Sequence, residues 1–139
     1  DDAFIKAIVG VFHPKVFLKG DIILYGGEVA RAMYFIKRGH VQVLSLDGLH
    51  QYTVLMDGEA FGESVLCADQ IACIATCQAT TYVELYELQR TDLIEVLNRF
   101  PQQRERVLDI AASRMSGFAS ENAQIEQEDD MNDVPPPPP

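Results

Sequence analysis

The chain has 139 residues, 47% of them hydrophobic, which is enough for one domain with a substantial core. Its formal net charge is -10, and residues 121–139 hold six acids and no base, so residues 1–120 carry 15 acids against 11 bases. This balance argues against nucleic acid as a partner, because no basic stripe is available to meet phosphates. No apolar run is long enough to span a bilayer and no signal peptide is visible, so we expect no direct membrane insertion by this chain.

The first elements are a helix and a series of short strands. A helix is predicted over residues 3–12, where apolar side chains recur at helical spacing, and His13-Pro14 ends it. Because the chain does not begin with Met and enters within this pattern, we expect a piece of a longer protein. The turn at Asp47-Gly48 is a strong hairpin signal. The predicted strands are 15–18, 22–25, 33–36, 40–46, 51–56, 71–79 and 82–88. This spacing predicts an α+β, mainly β fold: an antiparallel, jelly-roll-like β-roll of about eight strands.

After Leu88 the apolar period changes to that of a helix. A helix is predicted over residues 90–100, with Thr91 or Asp92 as its N-cap. Pro101 breaks this helix and starts a second one. The second helix carries apolar residues at Val107, Leu108, Ile110, Ala111 and Met115.

The C-terminal segment differs in composition from the rest of the chain. From residue 120 the chain is polar and acidic and ends in five prolines, a composition typical of a disordered or extended tail. The predicted organisation is therefore a domain over residues 1–119 and a tail over 120–139. Within the domain we expect the β-roll at about 14–88 and the two C-terminal helices at about 90–118.

The stretch from Asp57 to Ala79 carries the strongest functional signal. It contains Phe61-Gly62-Glu63-Ser64, in which Gly62 lets the backbone approach a bound group and the following amides could open a short helical turn. This layout is typical of an anion cradle with one carboxylate, that of Glu63, at its edge. A phosphate in such a cradle also needs a cation. However, no Lys or Arg occurs in the 51 residues from Gly39 to Gln89.

The cysteines are expected to be buried structural residues rather than redox or metal-binding ones. Cys67, Cys73 and Cys77 form an odd set without a CxxC spacing, and no His lies near them. Reduced thiols of an intracellular protein are the simplest interpretation. By strand alternation, Cys73, Ala75 and Cys77 are expected on one face as small buried residues, in preference to a metal or redox cluster. The three histidines are dispersed at turns and predict neither a metal nor a catalytic site: His13, His40 and His50.

Several short sequence motifs occur together, in the order and at the spacing found in a known family. The motifs are Phe17–Ile23, Met33–Gly39, Phe61-Gly62-Glu63, Thr81–Tyr86 and Phe100-Pro101. From about Phe4 to about Met115 the chain resembles the cyclic-nucleotide-binding domain in the cytoplasmic C-terminal region of hyperpolarisation-activated and cyclic-nucleotide-gated channels. The resemblance implies a β-roll capped by helices. It also implies that a ligand lies between the roll and the last helix, and that this helix moves when the ligand binds.

The resemblance implies roles for particular residues. Phe61, Gly62, Glu63 and Ser64 would begin the phosphate-binding cassette, with Glu63 on the ribose hydroxyl and nearby amides on the cyclic phosphate. Val43 and Leu55 align with apolar positions that contact the base, although roll-interior residues would be apolar in any case. Phe118 could stack on the base, or fold back into the pocket as C-terminal residues do in ether-à-go-go-type channels. Both alternatives stay open.

The chain departs from the family where the phosphate charge is neutralised. Matching on Ala75 puts Cys73 at the position of the family's Arg, and Ile74 at the position where Thr or Ser often occurs. Loss of a charge-assisted hydrogen bond to a buried anion costs about 1.5–3 kcal/mol, which is about one to two decades in affinity. We therefore predict no cofactor and doubtful binding of cAMP or cGMP.

Several function classes follow from these observations. No nucleophile–base pair is visible and Glu63 lacks a partner acid, so an enzyme is not expected. The leading hypothesis is a regulatory domain at the cytoplasmic face of a channel-type membrane protein, with the rest of that subunit as partner and a homo-oligomeric parent. The alternatives are a ligand-free or self-liganded domain, and a sensor of a cyclic nucleotide or neutral nucleoside in a transporter or kinase-regulatory context. A transcription factor would need a helix-turn-helix after the last helix, where this chain has its acidic tail.

Overall fold

The structure, a computed structural model, describes residues 2–66 and 72–109. The predicted Phe118, Cys67, the end of the second C-terminal helix and the tail lie outside the described residues. The helices are α1 (Asp2–Gly10), a short 3-10 helix (Glu63–Leu66) and α2 (Arg90–Arg99), followed by helical residues 101–109, here α3. The strands are β1 (His13–Phe17), β2 (Ile22–Leu24), β3 (Ala32–Arg38), β4 (Val41–Leu44), β5 (Gln51–Leu55), β6 (Ala60–Phe61), β7 (Thr76–Ala79) and β8 (Val83–Gln89).

The strands form two antiparallel sheets of four. One sheet has the order β1-β8-β3-β6 and the other has the order β2-β7-β4-β5. The predicted β-roll of about eight strands with one N-terminal and two C-terminal helices is therefore confirmed. β6 was not predicted, because two residues are too few to show an alternating pattern. β7 was predicted to begin too early, at residue 71, whereas its ladder with β4 starts at Thr76.

Between the sheets lies a cluster of buried side chains that we call the roll core. Alternate residues of β4 and β8 supply Val41, Val43, Val83 and Leu85, all at most 2% exposed. This inward alternation is what a half-buried strand requires. Burial of each such side chain stabilises the fold by about 1.5–3 kcal/mol. The roll core fixes the register of the strands that carry the candidate site.

A second cluster, the helix-facing core, joins the outer face of the first sheet to the helices. α2 presents Leu93, Val96 and Leu97 as its buried residues, at the i, i+3, i+4 spacing of one helical face. Leu93 and Leu97 pack in this cluster with Leu88 of β8 and Met33 of β3. α2 is thereby held against the sheet beside the 3-10 helix.

The start of α2 corrects one prediction. The helix begins at Arg90, and its N-cap is Gln89, which makes no side-chain capping hydrogen bond. Thr91 and Asp92, which were predicted as N-caps, lie in the first turn. Because β8 continues directly to Gln89, the strand decides where the helix can begin.

The predicted Asp47-Gly48 turn closes the hairpin between β4 and β5. The Ser45 hydroxyl donates a hydrogen bond to the Asp47 carboxylate, which also accepts one from the Leu49 amide at 2.9 Å. Both hydrogen bonds hold the pKa of Asp47 below its usual value, and the bond from Ser45 has the larger effect. The Asp47 carboxylate thus stabilises the turn of the hairpin by accepting two hydrogen bonds.

Candidate functional site

Phe61 anchors the start of the candidate cassette. It lies in β6 opposite Tyr34 of β3, and the two rings stack with their centroids 5.2 Å apart. Its side chain is 3% exposed and belongs to the roll core. The aromatic residue therefore fixes the point from which the backbone turns into the 3-10 helix.

Gly62 makes this turn, and the structure explains its identity. Its φ of +90° lies in the region that favours glycine. A Cβ at this position would lie 2.8 Å from the carbonyl oxygen of Ala32 and 3.3 Å from the Cα of Met33. The close approach that requires glycine is therefore made to β3 of the same chain.

Glu63 is the first residue of the 3-10 helix and is buried, with 8% exposure. It lies at the wall of a groove of about 460 Å³ between α1, α2, α3 and the outer face of the first sheet. The other lining residues are apolar, including Met33 and Leu88. Ser64 follows Glu63 within the same 3-10 helix. This groove was not predicted, because its walls come from elements far apart along the chain.

Cys73, which the sequence analysis aligned with the family's Arg, is buried and carries a free thiol. Its amide donates a hydrogen bond to the carbonyl oxygen of Glu28 at 2.7 Å, and its carbonyl oxygen accepts one from the amide of Gly27 at 2.8 Å. An antiparallel bridge joins Val29 to Ala72 beside them. The backbone at this position is therefore already paired within the fold.

The electrostatic surroundings of Cys73 are unfavourable for an anion. Burial, and after it the carboxylate of Glu28, raises the pKa of the thiol. A thiol with a raised pKa stays neutral at pH 7, so it gives neither a positive nor a negative charge. Glu28 was not predicted as a neighbour of this site, because nothing in the spacing of residues links the turn after β2 to the segment before β7 that contains Cys73.

The predicted common face holds for Ala75 and Cys77 but is wrong for Cys73. Cys73 packs in the helix-facing core, whereas Ala75 and Cys77 pack in the roll core. The regular strand begins only at Thr76, and the chain bends at the half-buried Ile74 and at Ala75, so Cys73 lies before the bend and outside the strand. Cys73 and Cys77 are both buried free thiols, as small core residues would be. Among the described residues, no three His, Cys, Asp or Glu side chains are grouped to hold a metal ion.

Val43 and Leu55 are roll-core residues, 2% and 3% exposed. They lie on the hydrogen-bonded pair β4–β5, in register with Thr53 and Val41 respectively. The structure brings them together with Phe61 and Ala75 in one cluster, and places Cys73 in the other. The predicted site residues are therefore divided between the two cores.

Arg90 is a site neighbour that the sequence analysis did not identify. It is the first base after the stretch without Lys or Arg, and its Nε donates a hydrogen bond to the carbonyl oxygen of Val65 at 2.9 Å. Val65 lies in the 3-10 helix and is 1% exposed. The only sequence signal was the presence of a cation at the start of a helix, where an acid is favoured.

Comparison with known proteins gives consistent results. Residues 14–100 match the family model described as the cyclic nucleotide-binding domain. The chain is 32% identical over 127 residues to the potassium/sodium hyperpolarization-activated cyclic nucleotide-gated channel 3 of Mus musculus, covering 91% of this chain and 16% of that protein. It is 36% identical over 97 residues to the cone photoreceptor subunit alpha of a cyclic nucleotide-gated channel of Gallus gallus, covering 66% of this chain and 13% of that protein.

Solved structures with a similar fold include a channel domain and a cAMP-bound fragment. The C-linker/CNBHD of zELK channels, crystallised in the presence of cAMP, has a TM-score of 0.69 at 21% identity, over 78% of this chain and 55% of that one. A cAMP-bound fragment named PfPKA-R has a TM-score of 0.64 at 26% identity, over 69% of this chain and 35% of that one. At 21% identity, the likeness to the zELK structure shows a shared fold and nothing more.

The chain spans about one tenth to one sixth of the length of the hyperpolarization-activated channels that it matches. Within the described ranges, no helix has the length and apolar character needed to cross a bilayer. The matched family model covers well over half of the chain, and it includes both sheets, the 3-10 helix and α2. This chain therefore belongs to the cyclic nucleotide-binding domain family.

Proposed function

We propose that this domain is a non-catalytic regulatory module at the cytoplasmic face of a channel-type membrane protein, and that it binds cyclic AMP and cyclic GMP weakly or not at all. The channel context is supported by relatives that are themselves channels. The remainder of the channel subunit is the partner, and the parent protein is a homo-oligomer. In this proposal residues 1–119 form the domain and residues 120–139 a tail.

The observation that carries the proposal is the environment of Cys73. A cyclic phosphate at this position would meet a neutral thiol and the nearby carboxylate of Glu28, and no base occurs from Gly39 to Gln89. The Cys73 amide is already used by the Glu28 carbonyl oxygen. The missing charge-assisted hydrogen bond accounts for a loss of about 1.5–3 kcal/mol, or about one to two decades in affinity.

A second candidate function is a sensor of a cyclic nucleotide or a neutral nucleoside-like ligand, in a transporter or a kinase-regulatory protein. The observation that favours it is Glu63, which retains the family's identity and is 8% exposed at the start of the 3-10 helix. A carboxylate there could accept hydrogen bonds from ribose hydroxyls, and backbone amides could hold the rest of the ligand. Without a cation, a neutral ligand loses less affinity than a phosphate.

Isothermal titration calorimetry with cAMP, cGMP and adenosine separates the two candidates. The regulatory proposal expects weak or undetectable heats with both cyclic nucleotides, and a sub-micromolar Kd for either would overturn it. Adenosine that binds more tightly than cAMP would favour the second candidate. The ribose contact is tested with Glu63→Gln, which should weaken adenosine binding if Glu63 holds the ribose, because the neutral amide loses the charge-assisted hydrogen bonds and has one acceptor oxygen where the carboxylate has two.

A further inference from the structure

Arg90 connects α2 to two other elements through directed hydrogen bonds. Its Nε donates to the carbonyl oxygen of Val65 in the 3-10 helix at 2.9 Å. Its amide donates to the carbonyl oxygen of Arg31, just before β3, at 3.0 Å. Both acceptors lie outside α2, so one residue ties the first turn of this helix to the cassette and to the sheet.

The local rules of helix formation do not explain an Arg at this position. The N-terminus of a helix has a partial positive charge, which disfavours a cation, and the N-cap Gln89 supplies no side-chain bond in compensation. In contrast, the carbonyl groups near the end of a short helix lack partners within that helix. The Arg90 guanidinium supplies a hydrogen-bond donor to one such carbonyl group, that of Val65, in a partly buried position. A residue that breaks a local rule and satisfies a distant group is a candidate for a functional constraint.

The same two elements also touch through apolar side chains. Val65 packs in the helix-facing core with Leu93 and Leu97 of α2. Such contacts are non-directional and tolerate sliding of one element over the other. A hydrogen bond at 2.9 Å, however, fixes the separation between the Val65 carbonyl oxygen and the start of α2. Arg90 therefore sets the position of α2 relative to the 3-10 helix.

We propose that Arg90 is a positioning residue that couples the cassette helix Glu63–Leu66 to α2, so that a displacement of either element is transmitted to the other through the bond to Val65. This inference deepens the proposed function and rests on the domain being a regulatory module. Lys is a poor substitute, because its single ammonium group cannot place a donor where the guanidinium Nε lies.

The first test uses the ligand-free protein and measures amide hydrogen exchange by NMR. Arg90→Gln is expected to speed exchange by about tenfold in residues 63–66 and at the start of α2 together, because each element loses its directed link to the other. The matched control, Arg99→Gln, removes a charge from the exposed last turn of the same helix and should leave residues 63–66 unchanged. Unchanged exchange in residues 63–66 of Arg90→Gln would overturn the coupling. Arg90→Lys gives an intermediate variant should Arg90→Gln fail to fold.

The second test separates coupling from general support of the fold. cAMP is titrated into the Cys73→Arg variant, with and without Arg90→Gln, and amide chemical shifts are followed. With Arg90 present, shifts are expected in residues 63–66 and in residues 91–97. With Arg90→Gln, the chemical-shift changes in residues 63–66 should persist, whereas the changes in residues 91–97 should fall by about half or more. Equal shifts in α2 would overturn the proposal. A Cys73→Arg protein that does not respond to cAMP would count against the proposed role of position 73, while the ligand-free test still decides on Arg90.

Discussion

The amide of Cys73 donates a hydrogen bond to the carbonyl oxygen of Glu28 at 2.7 Å, so the segment at the expected phosphate position is paired with the turn that follows β2. A cradle for an anion needs donors that point at the ligand. Here the Cys73 donor serves the fold, and the carboxylate of Glu28 lies close enough to raise the thiol pKa. The geometry at this position therefore stabilises the domain and supports the proposal that a phosphate binds weakly here.

Restoring a cation at position 73 should strengthen nucleotide binding. Cys73→Arg is expected to raise the affinity for cAMP by about one to two decades, because the guanidinium gives a charge-assisted hydrogen bond to the phosphate. Without ligand the same variant should be less stable, since Cys73 is 5% exposed and an unpaired buried charge is costly. Calorimetry measures the affinity, and thermal unfolding with and without cAMP measures the stability.

The control for this variant is Cys73→Met, which adds a long side chain without a charge. It should leave cAMP affinity at the level of the unaltered protein. A gain as large in Cys73→Met as in Cys73→Arg would attribute the effect to packing. No gain in Cys73→Arg would show that the pocket is blocked by something other than the missing charge.

The Cys73 thiol should react slowly with alkylating reagents in the folded protein. Its pKa is raised above the ordinary value of 9.0, first by burial and then by the charge of Glu28, so little thiolate is present at neutral pH. Alkylation of the peptide that contains Cys73, followed by mass spectrometry, should still increase with pH above 9.0. Glu28→Gln should speed the reaction at a given pH, because it removes one nearby negative charge. A rate that levels off below this pH would contradict the assignment.

Replacing Gly62 should destabilise the domain more than replacing a comparable turn glycine. Gly62→Ala places a Cβ 2.8 Å from the Ala32 carbonyl oxygen at a φ of +90°, whereas Gly58 has a φ of +87° and nothing within 4 Å of the same position. A residue with a Cβ at a positive φ costs about 1–2 kcal/mol. Gly58→Ala measures this cost alone, whereas Gly62→Ala adds the steric clash of the new Cβ with the Ala32 carbonyl oxygen. Urea denaturation at equilibrium gives both free energies of unfolding. Equal losses would show that the segment moves away from β3 without cost.

Asp47 should make stability depend on pH in acid. Its folded pKa is lowered, chiefly by the Ser45 hydroxyl, so the carboxylate stabilises the hairpin above the ordinary pKa of 3.8, and this contribution is lost as pH falls through the lower folded value. Asp47→Asn should therefore lower the Tm near neutral pH, and the difference should shrink below pH 3.8. The same substitution in a Ser45→Ala background should show a weaker pH dependence. A difference that stays constant into acid would disprove the assignment.

Local patterns predicted most of the fold and only part of the site. The alternation in β4 and β8 and the helical spacing in α2 are properties of neighbouring residues, so the chain itself displays them. The same reasoning put Cys73 and Cys77 on one face, which is wrong because the bend at Ile74 and Ala75 interrupts the strand. The N-cap of α2 was also misplaced, at Thr91 or Asp92, since β8 continues to Gln89 and the helix begins at Arg90. Both errors lie where tertiary contacts override the local period.

The roll of short strands, the family motif Phe61-Gly62-Glu63 and the lack of any base from Gly39 to Gln89 can all be read along the chain, because composition and periodicity are local properties. Which groups meet depends instead on how the strands and helices pack. This packing pairs the Cys73 amide with Glu28, seats Gly62 against Ala32, and brings the Arg90 side chain to Val65. These partners are far apart along the chain, and contacts of that kind exist only after the strands and helices have packed together.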